Sequence, residues 1–250
     1  MELTKTVDAI NLEKGKIKKV SEKVVSDQNV KLLINDHINR NFSTIPESLK
    51  EFATGYILGE GLVANVKDIK KIEIDELTIK ASIDPKKLNN NEELVLVSDS
   101  SGGWRSKINL IDKVESDLAI DKDDLINNME KLRKNAFIWQ KTGGTHVAAI
   151  ISQNEFIVKE DVSRHVAVDK VIGAGALEKF DFDQSYIIYS GRMPADMLIK
   201  VARVGIPIIA SNAAPSFSGY TVANKANITM VGFIRENRFN IYTNPDRIMI

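Results

Sequence analysis

The chain has 250 residues, of which 43% are hydrophobic and 27% are charged, and it contains no cysteine. Lys+Arg and Asp+Glu both number 34, so bulk charge predicts neither a nucleic acid nor an anionic membrane as a partner. The missing cysteines exclude disulfides, thiolate metal sites, iron–sulfur clusters and any sulfur nucleophile from this chain. Because no apolar run could span a bilayer and the start Met1–Lys5 lacks the apolar core of a signal peptide, we predict a cytoplasmic protein.

The first half of the chain is predicted to be rich in strands, with one helix. Apolar and β-branched residues between turn signals predict the strands Val20–Val25, Val30–Ile34, Ile69–Ile74, Leu77–Ile83 and Leu94–Val97. A capping box at Thr44–Glu47 precedes apolar residues at helical spacing from Leu49 to Ile57, which predict the helix. We place a soft boundary between residues 112 and 121, so residues 1–115 form a β-rich part and residues 116–250 an α/β part.

The second half alternates between strands and helices. The predicted strands are Val147–Ile151, Phe156–Val158, Tyr186–Tyr189, Ile206–Ala210, Ile228–Phe233 and Phe239–Tyr242. Helices are predicted around Leu125–Leu132, from Ser163 to Leu177, from Pro194 to Ala202, and over Ser216–Ala226. This order predicts an α/β fold with a mainly parallel sheet covered by helices, and ligands at the carboxyl ends of the strands.

Residues 142–170 hold the densest group of polar side chains, with two of the three histidines, His146 and His165. The charged members of the group are Glu160, Asp161, Arg164, Asp169 and Lys170. Because a helix is predicted to open at Asp161–Ser163, free N–H groups and the helix dipole would favour an anion there. Two simpler interpretations stay open: a capped helix with surface ion pairs, and a structural role for His146.

Several segments of the chain match, in order, the motifs of one protein family. They are LKEFATGYILGEGLV (49–63), TGGTHVAAI (142–150), EDVSRHVAVDKVIG (160–173), SGR (190–192), KVARVGIPI (200–208), AAP (213–215) and MVGFIRENRFNIYT (230–243). They resemble the formate dehydrogenase accessory sulfurtransferase family, FdhD/NarQ. The resemblance implies a three-layer fold similar to that of cytidine deaminases, with an added β-rich N-terminal part. No metal site is predicted, because the His-x-Glu and Pro-Cys-x-x-Cys motifs of a zinc deaminase are missing.

The resemblance also implies a function in the maturation of formate dehydrogenase. The family takes sulfur as a persulfide from a cysteine desulfurase and passes it to a molybdenum or tungsten bis(molybdopterin guanine dinucleotide) cofactor. Its Cys-Gly-x-Cys-Gly loop corresponds to residues 98–105 here, where Ser100 and Ser101 stand and no sulfur remains. Because a serine hydroxyl cannot form a persulfide, the sulfur-carrying step cannot run on this chain alone.

Cofactor binding is implied at the turn that follows the strand ending near Phe233. The family's cofactor-contacting segment corresponds to Phe233, Ile234, Arg235, Glu236, Asn237 and Arg238, and neighbouring strand ends add Gly191, Arg192, Ala214 and Pro215. Arg235 and Arg238 would offer planar donors to a diphosphate or to a guanine edge, so GDP is expected to mimic the cofactor. The implied partners are the formate dehydrogenase apoenzyme and a cysteine desulfurase, and a homodimer stays open.

Two other functions stay open from the residues alone. The chain could be a nucleotide- or pterin-dependent enzyme that uses His146 or His165 as an acid or base, with a pH profile near neutrality. It could also be an interaction partner of a dehydrogenase or desulfurase that binds no small ligand.

Overall fold

The fold is given by a computed structural model, which describes residues 2–89, 108–153 and 155–250. The strands are β1 Thr4–Glu13, β2 Lys16–Val25, β3 Gln28–Ile34, β4 Ile38–Thr44, β5 Ile69–Asp75, β6 Thr78–Ile83, β7 Ile120–Asp121, β8 His146–Ser152, β9 Glu155–Asp161, β10 Ser185–Tyr189, β11 Ile208–Ser211, β12 Thr229–Arg235, β13 Arg238–Thr243 and β14 Ile248–Met249. The helices are α1 Leu49–Gly59, α2 Lys122–Lys134, α3 Phe137–Thr142, α4 Arg164–Leu177, α5 Ala195–Arg203 and α6 Phe217–Lys225. The predicted strand Leu94–Val97 and the loop with Ser100 and Ser101 lie outside the described residues.

The N-terminal part forms two small sheets. Strands β1 and β2 pair as a long antiparallel hairpin, of which the sequence predicted only Val20–Val25. A second sheet has the strand order β4-β3-β6-β5. The predicted capping box is wrong: Ser48 precedes α1 with a left-handed backbone (φ 56°) and no side-chain cap, while Thr44 ends β4. The Thr44 hydroxyl instead donates a hydrogen bond to Asp161, 117 residues away.

The C-terminal part is built on a six-stranded sheet of order β13-β12-β11-β10-β8-β9. Only the pairs β10/β11 and β11/β12 are parallel, and the pairs β8/β9, β8/β10 and β12/β13 are antiparallel. The prediction of a mainly parallel sheet is therefore wrong. Only two residues separate β8 from β9 and β12 from β13, which is too short for the crossover connection that parallel strands need, so these pairs are antiparallel. The mixed α/β class is confirmed.

Helices cover both faces of this sheet. One apolar cluster joins alternate strand residues such as Ala148 and Ile150 with α1, α4, α5 and α6. A second cluster joins the intervening residues, such as Val147 and Ala149, with α2. Successive strand side chains point to opposite faces, so the two clusters together bury both faces of the sheet.

Helices α1 and α4 cross at two glycines. A Cβ atom on Gly55 would lie 1.8 Å from the Asp169 carbonyl oxygen, and one on Gly173 would lie 1.8 Å from the Glu51 carbonyl oxygen. The first apolar cluster also includes residues from before and after position 115. The division at residue 115 and the likeness to cytidine deaminases stay predictions. In the described ranges, no helix is long and apolar enough to cross a membrane.

Candidate functional site

A cleft of about 430 Å³ lies at the carboxyl ends of β10 and β11, beside the first residue of β8. This is the place that an α/β sheet with parallel central strands offers to ligands. Two walls come from the strand ends and from the α2–α3 connection. The lining residues are Arg133, Ala136, Trp139, Gly143, Gly144, Thr145, His146, Val147, Val162, Ser190 and Asn212.

Ser190, the residue that follows β10, contacts the first two residues of β8, His146 and Val147. The Ser190 hydroxyl accepts a hydrogen bond from the Val147 backbone N–H at 3.1 Å and lies 3.2 Å from His146 Nδ1. Burial lowers the pKa of His146, and the nearby Arg164 charge lowers it further. The imidazole is therefore neutral near pH 7, and it can donate one hydrogen bond and accept another.

The predicted strand-end loops lie side by side. The Ser211 hydroxyl donates to the Gly191 carbonyl oxygen at 2.7 Å, which joins the loops after β10 and β11. The Tyr189 hydroxyl donates to the Arg192 carbonyl oxygen at 2.5 Å. Beyond them, the Met193 N–H donates to the Ala214 carbonyl oxygen, and Met193 forms an isolated parallel β-bridge with Pro215. The fold thus brings the SGR and AAP segments together at one sheet edge.

His165 does not line the cleft. Its Nε2 atom lies 3.4 Å from Asp196 Oδ2, in the packing of α4 against α5. Burial lowers the pKa of His165 to about 3, with further lowering by the charges of Lys200, Arg164 and His146. His165 is therefore neutral near pH 7 beside Asp196, and it is poorly placed to exchange protons with a ligand in the cleft.

Three charged residues of the polar cluster at the start of α4 form ion pairs inside the protein. Asp161 is fully buried and accepts hydrogen bonds from Thr44 Oγ1 at 2.5 Å, from the Ile45 backbone N–H at 3.0 Å and from Lys170 Nζ at 2.8 Å. Lys200 Nζ lies 2.5 Å from Asp169 Oδ1. Asp161 with Lys170, and Asp169 with Lys200, thus form buried ion pairs, so these predicted surface ion pairs are internal, and the anion site at the start of α4 stays a prediction.

The segment 233–238 borders the cleft without lining it. Arg235 Nη1 donates to the Asn212 and Ile234 carbonyl oxygens, both at 2.8 Å. Arg133 Nη2 also donates to the Ile234 carbonyl oxygen, at 3.4 Å. The Ile234 side chain is fully buried, whereas Phe233 is partly exposed and has a positive φ of 55°. Arg238 is exposed and lies opposite Arg235 in the register of β12 and β13, at the turn formed by Glu236 and Asn237.

Sequence reasoning missed two of the larger lining side chains, Arg133 and Trp139. Arg133 and Trp139 lie at the end of α2 and on the short helix α3, where no motif or periodicity sets them apart. The only available signal was the proximity of Trp139 to the TGG motif at residues 142–144.

Comparison with known proteins decides the family. The sequence profile of the FdhD/NarQ family matches residues 25–249. This chain belongs to the FdhD/NarQ family. It is 51% identical over 249 residues to the sulfur carrier protein FdhD of Methanothermobacter thermautotrophicus, with 100% of both chains covered. It is 28% identical to the sulfur carrier protein FdhD of Bacillus subtilis, with 98% of both chains covered.

The fold agrees with a solved structure. A crystal structure from Desulfotalea psychrophila, provisionally described as that of a formate dehydrogenase accessory protein, superposes with a TM-score of 0.84. The match covers 99% of this chain and 100% of the other, at 23% sequence identity. The predicted resemblance to FdhD/NarQ proteins is therefore confirmed.

Proposed function

We propose that this chain is an accessory protein of formate dehydrogenase that binds the guanylated pterin cofactor and delivers it to the apoenzyme. The observation that carries this proposal is the cleft at the carboxyl ends of β10 and β11, continuous with the Arg235 turn. Its volume of about 430 Å³ falls in the range of small-molecule sites. Membership of the FdhD/NarQ family supports the cofactor and the partner.

The chemistry of the cleft fits part of a nucleotide. Arg133 brings a permanent positive charge to the lining, and Arg235 adds another beside Asn212. Hydroxyls of Thr145 and Ser190 and the neutral His146 ring offer donors and acceptors without a negative charge. These groups together suit a diphosphate next to a ring with polar edges.

Sulfur transfer, where it occurs, needs a thiol from another protein. The 250 residues contain no cysteine, so no persulfide can form on this chain. We propose that the chain holds the cofactor while a cysteine desulfurase, or a carrier loaded by it, supplies the sulfur. Addition of the chain to a mixture of desulfurase and cofactor should therefore leave no sulfur covalently attached to it, as mass spectrometry of the intact protein would report.

GDP titration by calorimetry tests the binding site. The Arg235→Ala substitution removes the guanidinium that holds the Asn212 loop, and one charge-assisted hydrogen bond contributes about 1.5–3 kcal/mol, or roughly 10- to 100-fold in Kd. Arg238→Ala tests the exposed neighbour in the same turn. Arg40→Ala is the matched control, because Arg40 lies on β4, away from the cleft, and its side chain donates to the adjacent Asn39 carbonyl. GDP binding that is missing in the wild type, or equal in wild type and both turn variants, would contradict the proposed site.

Deletion and complementation test the biological role. Formate dehydrogenase produced without this protein should be inactive, and the wild-type chain should restore it. A chain with Arg235→Ala should restore it less well at equal protein level. Fully active dehydrogenase in the absence of the chain would exclude an accessory role.

The acid–base enzyme interpretation now depends on His146 alone. It is the histidine that lines the cleft, whereas His165 lies outside the lining against Asp196. GDP or a pterin recovered unchanged after incubation would argue against turnover. Tight GDP binding would also exclude an interaction partner that takes no small ligand.

A further inference from the structure

The cleft displays an exposed indole on a short helix. Trp139 lines the cleft with 48% of its surface exposed. Tryptophan is one of the most buried residues on average, so a half-exposed indole in a concave site is unusual. The other exposed aromatic residue of α3, Phe137, is 60% exposed and lines a different cavity, beside β9.

The backbone of Trp139 is fixed on both sides. Its N–H and that of Ile138 donate to the two carboxylate oxygens of Glu160, each at 2.8 Å. The Thr145 hydroxyl holds the same carboxylate at 2.8 Å. The Trp139 carbonyl oxygen accepts from Gly143 N–H, and Gly143 ends α3 with a left-handed φ of 64°. A helix held in this way presents the indole with little further loss of backbone entropy on binding.

The surroundings of the indole suit a flat ring with polar edges. Ala136 and Val162 contribute apolar lining, while Ser190 and Asn212 contribute hydroxyl and amide groups. Aromatic side chains bind planar bases by stacking, which tolerates different rings because each has a π-face. The lining thus combines a stacking surface with hydrogen-bonding groups that can meet a ring edge.

The cleft continues toward the proposed cofactor segment. Arg133 lines the cleft with Trp139 and also contacts the Ile234 carbonyl oxygen, to which Arg235 donates as well. A ring on the indole would therefore have two guanidinium groups within the same connected surface for an attached phosphate.

We infer that Trp139 is the stacking surface on which this cleft holds a planar heteroaromatic ring, either the guanine or the pterin of the cargo. The inference rests on the proposed function, because the cargo supplies both rings. Glu160 is the positioning residue, since it fixes the helix that carries the indole.

Affinity measurements with two ligands test this role. Calorimetric titrations with GDP and with neopterin, a soluble pterin, separate the two sources of the ring. Trp139→Ala should weaken binding of the stacked ligand by about 10- to 100-fold, and Trp139→Phe should restore most of it. Phe137→Ala is the matched control, because Phe137 is a second exposed aromatic side chain on the same helix but lies outside the cleft, and it should leave both affinities unchanged.

Quenching of tryptophan fluorescence by the ligand gives a second measurement, because a Trp139 side chain with only a structural role would not be quenched when the ligand binds. The chain has two tryptophans, so quenching by the ligand in the wild type should disappear in Trp139→Phe. If Trp139→Ala weakens the binding of GDP alone, Trp139 stacks on guanine. If it weakens the binding of neopterin alone, Trp139 stacks on the pterin. If it weakens the binding of both ligands, Trp139 accepts either ring. Ligand that binds the wild type and Trp139→Ala equally, or quenching that persists in Trp139→Phe, would overturn the inference and leave the proposed function standing. A wild-type chain that binds neither ligand would refute the proposed function itself.

Discussion

Replacement of Lys200 by Met tests the buried charge cluster that joins α1, α4 and α5. The side chain of Lys200 is only 3% exposed, and its Nζ lies 2.5 Å from Asp169 Oδ1 and 3.4 Å from Glu60 Oε1. Burial lowers the pKa of Lys200, but the charges of Asp169 and Glu60 outweigh burial and raise it overall. Burial raises the pKa of Asp169, and the Lys200 charge opposes that rise. Methionine keeps most of the length of the side chain and removes the positive charge that opposes the rise in the Asp169 pKa.

The magnitude follows from the need to neutralise a buried carboxylate. With Lys200 present, burial already raises the pKa of Asp169 to about 7, and removal of the Lys200 charge raises it further, so the variant carries a proton on Asp169 at pH 7. The expected loss of unfolding free energy is the roughly 3–5 kcal/mol for breaking a buried pair by removing one partner. A carboxyl group with a raised folded pKa contributes stability that is present below its unfolded pKa and lost as the pH rises through the folded pKa. Because the folded pKa of Asp169 is about 7 or higher in both proteins, they lose this stability equally between pH 5 and pH 7, and the loss caused by Lys200→Met should be nearly constant over that range.

Urea unfolding followed by circular dichroism at pH 5, 6 and 7 measures this dependence. Lys134→Met is the matched control, because Lys134 pairs with Glu130 at 2.7 Å on the surface and is 72% exposed. It should show no measurable change at any of the three pH values, since exposed pairs contribute little. A Lys200→Met loss that shrinks strongly toward pH 5, or that stays below about 1 kcal/mol at pH 7, would refute the reasoning.

Three further predictions concern stability. Burial lowers the pKa of His165 to about 3, so the unfolded chain binds more protons than the folded chain between about pH 3 and 6.5, and stability should fall as the pH drops through this window. Thermal melts should show a weaker fall for His165→Asn than for the exposed control His37→Asn. A Cβ atom on Gly173 would collide with the backbone of α1, so Gly173→Ala should lower the unfolding free energy by about 3 kcal/mol or more. The control Gly205→Ala has open space around the new Cβ atom and only a positive φ, so it should lower the unfolding free energy by about 1 kcal/mol. Equal losses in the two variants would contradict the close crossing of α1 and α4. Glu160→Gln loses the charge that accepts two backbone N–H groups and a hydroxyl, so urea unfolding should show a loss of about 1–3 kcal/mol, and unchanged stability would exclude a capping role.

Periodicity in the sequence was informative wherever an element packs on the core. The strand at β8 was predicted because its residues 147–151 are all apolar, as expected for a strand of a sheet that is buried on both faces. The hairpin β1–β2 was mostly missed because its side chains are exposed, so its residues carry no regular apolar pattern. Its strands are held by pairing of backbone groups, which leaves little trace in the choice of side chains.

The site illustrates a second limit. The strand-end segments 190–192 and 213–215 were predicted to be neighbours, because carboxyl ends of adjacent parallel strands meet at one edge, and the structure places them together. The charged residues at the start of α4 were misread, because the local sequence allows Asp161 either to cap a helix at the surface or to form an ion pair inside the protein. Which of these happens depends on Thr44 and Ile45, which come from the other half of the chain.

By itself the sequence determined the order of the core elements, the family and one chemical fact, that the 250 residues contain no cysteine. These follow from residue identity and from spacing along the chain. Only the tertiary structure decided that Asp161 and Lys170 are an internal ion pair and that Trp139 and Arg133 share a cleft with Ser190 and Asn212. The physical reason is that burial and contact are set by how helices and strands pack across large sequence separations, where local propensity carries no information.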